Sequence, residues 1–192
     1  MVSILEIEEY AKINNIPIME HDGIEFLLDY IKKNKIKNIL EIGSAIGYSS
    51  IRMCLVDNDI SVTTVERDIN RYTTALSNID NFGLNNKINI INDDAFNVEL
   101  EDKFDLIFID AAKSQYIKFF LKFSKNLNIN GVIISDNLNF HGLTHTKEII
   151  PSRNVRGIVR KLNNYIEFLK TNEEFKTMFY EIGDGIAISK KI

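Results

Sequence analysis

Asn38-Ile39-Leu40-Glu41-Ile42-Gly43-Ser44-Ala45-Ile46-Gly47-Tyr48-Ser49 is the stretch on which the fold turns. A short apolar run, Lys37–Ile42, reads as a strand and stops at Gly43. A second glycine follows at Gly47, and the residues from Tyr48 to about Leu55 then have helical composition. Strand, glycine turn and helix in that order form the opening half of a βαβ unit.

The same alternation continues on both sides. Upstream, Ile24, Leu27, Leu28 and Ile31 form a helical stripe in Gly23–Lys33, with Asp22 as the expected N-cap. Downstream, Ser61–Val65 is a β-branched strand, Asp68–Phe82 a helix closed by Gly83, and Lys87–Ile91, Phe104–Ile109 and Gly131–Ser135 are further strands. A helix near Ser114–Lys125 separates the last two. Strands this uniformly apolar, alternating with helices, predict a parallel, doubly wound α/β sheet covered on both faces. The end of the chain departs from that rhythm. Val155, Val159, Leu162, Ile166 and Leu169 mark one stripe of a long helix. Two strand-like runs, Met178–Ile182 and Gly185–Ser189, are joined through Gly183-Asp184-Gly185, which predicts an antiparallel hairpin at the sheet edge.

The composition bounds the class. The 192 residues, 45% hydrophobic and 26% charged, suit one domain spanning residues 1–192. The first residues carry Glu6, Glu8 and Glu9 where a secretory signal needs a basic flank, and no apolar run has the length of a membrane span. The lone Cys54 lies among Ile51, Met53 and Leu55, which suits a buried thiol in a reducing compartment; a cytoplasmic protein is expected. The net charge of −4 is uneven, because Lys147–Lys170 holds six basic residues against two acids.

In sheets of this kind a ligand sits beyond the strand ends where the strand order reverses. Gly43 and Gly47 let backbone approach a ligand there, but a dinucleotide fingerprint would require a third glycine. With Glu41 at the mouth, a pyrophosphate is a poor guest. The cationic amino-acid end of S-adenosylmethionine is a better one. Glu66 ends the second strand, 25 residues on, where it can accept hydrogen bonds from two ribose hydroxyls. Asp94, after the third strand, is a candidate for an adenine amino group. Each acid alone reads as a solvated strand-end residue; three at successive strand tips favour a nucleoside site.

Asp110 ends the fourth strand and Asp136-Asn137 the fifth, offering two carboxylates and an amide oxygen at one edge, a hard donor set that suits Mg²⁺. A plain turn opened by Asp-Asn is the competing reading. Lys113 is placed to take a proton from, or stabilise, an acceptor hydroxyl. His21, His141 and His145 read as surface histidines.

The runs ILEIGSAIGYSS (39–50), VERD (65–68), FIDAAKSQY (108–116), SDN (135–137) and IGDGIAIS (182–189) resemble the cation-dependent O-methyltransferase family of catechol and caffeoyl-CoA type. EEYAKINNIPIMEHDGIEFLL (8–28), the DNLNFHGL loop (136–143) and RNVRGIVRK (153–161) look most like the bacterial tRNA 5-hydroxyuridine methyltransferases within it. The resemblance implies a Rossmann-like methyltransferase fold, S-adenosylmethionine as donor, Mg²⁺ as metal and a homodimer. It implies that Met19, Glu41, Gly43, Ser49, Glu66, Asp94, Ala95 and Asp110 line the donor site, and that Asp110, Asp136 and Asn137 hold the metal. Arg153, Arg156 and Arg160 would then contact phosphates of a tRNA anticodon loop, placing a wobble 5-hydroxyuridine for methylation to 5-methoxyuridine. The chain begins later than many relatives, so a shortened N-terminal helix is expected. A small-molecule catechol-type O-methyltransferase is the alternative; a nicotinamide oxidoreductase and a non-catalytic RNA-binding module are the readings from other classes.

Overall fold

The quoted stretch opens as β1 (Asn38–Ile42), the pivot of a seven-stranded sheet, in a computed structural model that describes residues 3–146 and 150–192. With β2 (Ser61–Val65), β3 (Ile88–Ile91), β4 (Phe104–Ile109), β5 (Leu127–Ser135), β6 (Phe175–Tyr180) and β7 (Ile186–Lys191), the strand order is β3-β2-β1-β4-β5-β7-β6. The first five strands run parallel; β7 is antiparallel to both β5 and β6. The expected doubly wound sheet with an antiparallel C-terminal hairpin is what the chain adopts.

Side chains on each strand alternate between two cores. Ile39, Leu106, Phe108 and Ile134 face α2 (His21–Asn34) and α3 (Tyr48–Cys54). Leu40, Ile107, Ile109 and Ile133 face α5 (Tyr116–Phe123) and α6 (Arg153–Thr171). Both faces are covered, so both need apolar residues, which explains the unbroken apolar runs. Each fully buried Ile or Leu here contributes about 1.5–3 kcal/mol.

Register is what positions a site. Ile42 pairs with Val65 and Ile109, Val65 with Ile91, and Ile109 with Ser135, so five strands stop level. The ladder runs one residue further: Gly43 N–H donates to Val65 C=O, Glu66 N–H to Ile91 C=O, Asp110 N–H to Ile42 C=O and Asp136 N–H to Ile109 C=O, at 2.9–3.2 Å. The first residue beyond β1, β2, β4 and β5 is therefore held by the same ladder as the strand itself.

Several element boundaries differ from expectation. The second helix starts at His21 with Glu20 as N-cap, so Asp22 is not the cap but a first-turn acid favoured by the helix dipole. β5 begins at Leu127 rather than Gly131, and β6 at Phe175 rather than Met178, leaving a five-residue link Glu181–Gly185 to β7. On α6 the buried side chains are Val159, Leu162, Tyr165 and Leu169; Val155 and Ile166 are half-buried. Tyr165 escapes a purely apolar count because of its hydroxyl, which pairs with Ser135 Oγ at 2.7 Å. The helix α1 (Ile4–Ile13) has no clear apolar periodicity, yet its start is legible as a capping box. Ser3 Oγ accepts from Glu6 N–H, and Glu6 accepts from Ser3 N–H at 2.6 Å. Lys147 and Glu148 of the basic segment lie outside the described residues.

Candidate active site

The strand order reverses between β1 and β4, and a cavity of about 430 Å³ opens at that point. Met19, Gly43, Ser49, Glu66, Asp94, Ala95, Asp110, Lys113 and Asn137, all singled out from the sequence, line it.

At its floor, Gly43 has φ +96, and a β-carbon there would stand 2.5 Å from Asp110 C=O. Only glycine lets β1 turn away this close to β4. Glu66 is buried, with Oε2 accepting from Ala45 N–H at 2.9 Å and Oε1 from Asp68 N–H at 2.8 Å. Each oxygen keeps a lone pair for a further donor, so a diol at the cavity wall is well matched. Next to it, Ser44 Oγ is buried with no hydrogen-bond partner among the described residues, an orphaned polar group that a polar ligand would satisfy.

Glu41 is a correction. The sequence places it at the mouth, facing a ligand amine; in the fold it is wholly buried and is not on the cavity wall. Its carboxyl accepts hydrogen bonds from Ser49, Ser50 and, at 2.6 Å, Thr64. Burial nevertheless pushes its pKa up to about 7, against the opposing pull of those hydroxyls. Its place is behind the wall, orienting the hydroxyl of Ser49, which does reach the cavity.

The sequence gives no sign of an aromatic wall. Phe96 and Phe119 stack with centroids 4.8 Å apart and planes 17° from parallel, and both line the cavity beside Asp94 and Ala95. Nothing local signals this, because the two rings come from different connections of the sheet. Pro17, Ile18 and Tyr48 also line the cavity; Tyr48 is the residue after Gly47 and is within reach of the loop reading.

At the β4–β5 end, the level strand tips bring Asp110, Asp136 and Asn137 together as expected. Asn137 Nδ2 donates to Asp110 Oδ1 at 3.0 Å and Asp136 Oδ2 at 2.8 Å. Burial raises Asp110 to about 6, partly offset by Lys113. Burial and then the charge of Asp110 push Asp136 well above the usual carboxylate range. Two carboxyl groups that ionise reluctantly, with an amide between them, form an oxygen-rich set that a divalent cation fits. Among the described residues no group of three His, Cys, Asp or Glu is gathered, so the third side-chain oxygen of the set would come from Asn137. Lys113 borders it, with Nζ 5.7 Å from the centre of the Phe140 ring. His21, His141 and His145 are exposed, as expected.

Arg153, Arg156 and Arg160 lie on the exposed side of α6, away from the cavity wall. Arg156 is not free, however. Its guanidinium donates to Ile150 C=O at 2.7 Å and Pro151 C=O at 2.8 Å, tying down the chain that enters α6.

The O-methyltransferase family model matches residues 3–192. A caffeoyl-CoA O-methyltransferase of Populus kitakamiensis is 27% identical over 198 residues, covering 96% of this chain and 82% of that protein. A flavonoid 3',5'-methyltransferase of Vitis vinifera is also 27% identical, covering 98% and 83% respectively. A Staphylococcus aureus protein of solved structure, assigned as a caffeoyl-CoA O-methyltransferase, superposes with a TM-score of 0.93 at 39% identity, over 100% of this chain and 93% of that one. The chain belongs to the O-methyltransferase family, of the class I, S-adenosylmethionine-dependent, caffeoyl-CoA type. Among the described residues no helix is long and apolar enough to cross a membrane.

Proposed function

We propose that this chain transfers the methyl group of S-adenosylmethionine, with Mg²⁺ assistance, to the 5-hydroxyl of a wobble 5-hydroxyuridine in tRNA, giving 5-methoxyuridine. The observation that carries the reading is the shared position of Asp110, which lines the nucleoside-sized cavity and also belongs to the Asp110, Asp136 and Asn137 set. Donor and acceptor would thus meet at one strand tip. Glu66 would take the ribose hydroxyls, Phe96 the adenine face, Asp94 its amino group, and Ser44 and Ser49 the amino-acid end. Met19, Gly43 and Ala95 would shape the wall around the donor. Asp110, Asp136 and Asn137 would hold Mg²⁺, which when bound supplies Lewis acidity to an acceptor bearing two vicinal oxygens. Lys113 would receive the hydroxyl proton or stabilise the charge left on that oxygen.

Six basic residues against two acids in Lys147–Lys170, four of them in the first half of α6, support an RNA acceptor. Arg153 and Arg160 are exposed there and would contact phosphates, while the unstacked wobble base enters the site. The names of the relatives favour a second reading, a small catechol-type or caffeoyl-CoA-like acceptor, which needs the same donor and metal sites and no RNA contact. A cytoplasmic homodimer is part of the proposal. Exposed Leu5 and Ile13 on α1 and Met178 and Phe179 on the edge strand β6 are the apolar residues a second copy would cover; sedimentation tests it. Mass spectrometry of tRNA nucleosides from cells with and without the gene decides the acceptor. Unchanged 5-methoxyuridine, with turnover of catechols by the purified protein, would replace the tRNA reading by the small-molecule one.

A further inference from the structure

Gly183-Asp184-Gly185, between β6 and β7, has the composition of a turn within the IGDGIAIS run, and the site described above does not use it. In the fold it lies against the loop that follows Asn137. Asp184 C=O accepts from Asn139 N–H at 2.7 Å, and Gly185 C=O from Leu138 N–H at 2.9 Å. A β-carbon on Gly185 would stand 2.8 Å from Asn139 Cγ, so the two segments interlock without spare room.

The loop they grip is unusual. Asn137, Phe140 and His141 all take left-handed backbone, with φ of 64°, 45° and 56°, and Gly142 continues the run at 79°. Side-chain-bearing residues disfavour that region, and they remain there only where their surroundings over-determine the conformation. The corner at Phe140–His141 is fixed by a side chain: Asp184, itself only 6% exposed, accepts the His141 backbone N–H on Oδ1. Its other oxygen, Oδ2, is buried without a hydrogen-bond partner among the described residues, and the His141 ring stands 3.8 Å away. Burying a carboxylate against a single backbone N–H costs free energy, so stability alone does not account for its place. The corner it closes carries Phe140 beside Lys113 and Asn137 beside Asp110 and Asp136.

We infer that Asp184 is a positioning residue that locks the 137–142 corner, and through it sets the acceptor side of the site. The inference rests on the methyl-transfer reading for its functional consequence, while the lock itself does not. Three variants test it: Asp184→Ala, Asp184→Asn, which keeps an acceptor oxygen, and His141→Asn, which keeps the backbone N–H and tolerates the left-handed region.

In Asp184→Ala, hydrogen exchange followed by mass spectrometry should show amides 138–142 exchanging about tenfold faster. Calorimetry with Mn²⁺ as probe should show affinity weakened about 10–100-fold, as when an outer-shell partner of a metal site is lost. S-adenosylmethionine affinity should stay within about twofold, since Ser44, Ser49, Glu66, Asp94 and Phe96, which would hold it, lie outside this corner. Asp184→Asn should recover most of the Mn²⁺ affinity, and His141→Asn should match the wild type in exchange. A folded Asp184→Ala with wild-type exchange at 138–142 overturns the lock. Equal losses of donor and Mn²⁺ affinity overturn the positioning role in favour of a general structural one. If Asp184→Ala does not fold, the wild-type His141 amide decides by nuclear magnetic resonance. It must be protected although the residue is exposed, and exchange at an open-loop rate overturns the lock. Wild-type protein that binds neither Mn²⁺ nor S-adenosylmethionine would sink the methyl-transfer reading instead, with the exchange data still deciding the lock.

Discussion

Asn137 binds Asp110 across the gap between β4 and β5, its side-chain amide donating to the carboxylate at 3.0 Å while also donating to Asp136. One amide therefore bridges two acids, Asp136 buried and Asp110 half-buried at the cavity wall, that resist ionisation together. A cation would take the amide oxygen instead and relieve both charges. Methyl transfer is expected to stop in excess EDTA, to return with Mg²⁺, and to leave donor binding largely intact. Mg²⁺ must displace protons from Asp110, raised to about 6, and from Asp136, raised well above the usual carboxylate range, so its affinity should strengthen from about pH 6 to about pH 8. Calorimetry at both values checks the sign, and full activity in chelator ends the metal mechanism.

Glu66 both faces the cavity and braces the glycine loop through Ala45 N–H and Asp68 N–H. Glu66→Ala should weaken S-adenosylmethionine binding by about 2–3 kcal/mol, the scale of lost hydrogen bonds to a charged group. Glu66→Gln keeps one acceptor oxygen and should lose less. Titration of the alanine variant at wild-type affinity removes Glu66 from the donor site.

Glu41 makes stability depend on pH. Its folded pKa of about 7 lies above the ordinary 4.5, so the folded chain holds an extra proton between those values. The favourable contribution is complete below pH 4.5 and is lost as pH rises through 7. The loss amounts to about 3 kcal/mol, at about 1.36 kcal/mol for each pH unit between the two values. Glu41→Gln should flatten this part of the profile, most visibly as relative stabilisation near pH 8. Urea unfolding on either side of the transition, at about pH 5 and about pH 8, measures it. An unchanged slope assigns the dependence to other groups.

The arginines of α6 should separate into two roles. Arg156 holds Ile150 C=O and Pro151 C=O, so Arg156→Ala should loosen the entry to α6 and lower stability by about 1–2 kcal/mol. Arg153→Ala with Arg160→Ala should leave stability within about 0.5 kcal/mol. If the tRNA reading holds, the double variant should make the salt dependence of tRNA binding shallower by about 1–2 in log–log slope. Filter binding across several salt concentrations gives that slope, and a wild-type slope moves the RNA contact elsewhere.

The fold was legible because its signals are local. Apolar runs in Lys37–Ile42 and Phe104–Ile109, a glycine at each critical turn, and the change of rhythm after Val155 need no knowledge of distant residues. The β-hairpin boundaries were less legible, since Phe175–Thr177 becomes strand only by pairing with Ser189–Lys191. Most of the cavity residues were also readable, because in a parallel sheet the residue after each strand is delivered to one edge wherever the strands stop level.

By itself, then, the sequence determined a doubly wound sheet, the strand-tip acids Glu66, Asp94, Asp110 and Asp136, and the glycine turn at Gly43. Tertiary structure alone decided which of the polar groups face a ligand. Glu41 precedes Gly43 by two residues, and whether it points into the cavity or into the core depends on the helix packed against it, which supplies Ser49 and Ser50. Arg156 looks like its neighbours until the irregular segment before α6 brings two carbonyls within reach. The stacked pair Phe96 and Phe119 and the Asp184 contact with His141 join residues 23 and 43 positions apart. No pattern in the chain records such contacts, because they are set by how close the packed strands and helices bring their loops.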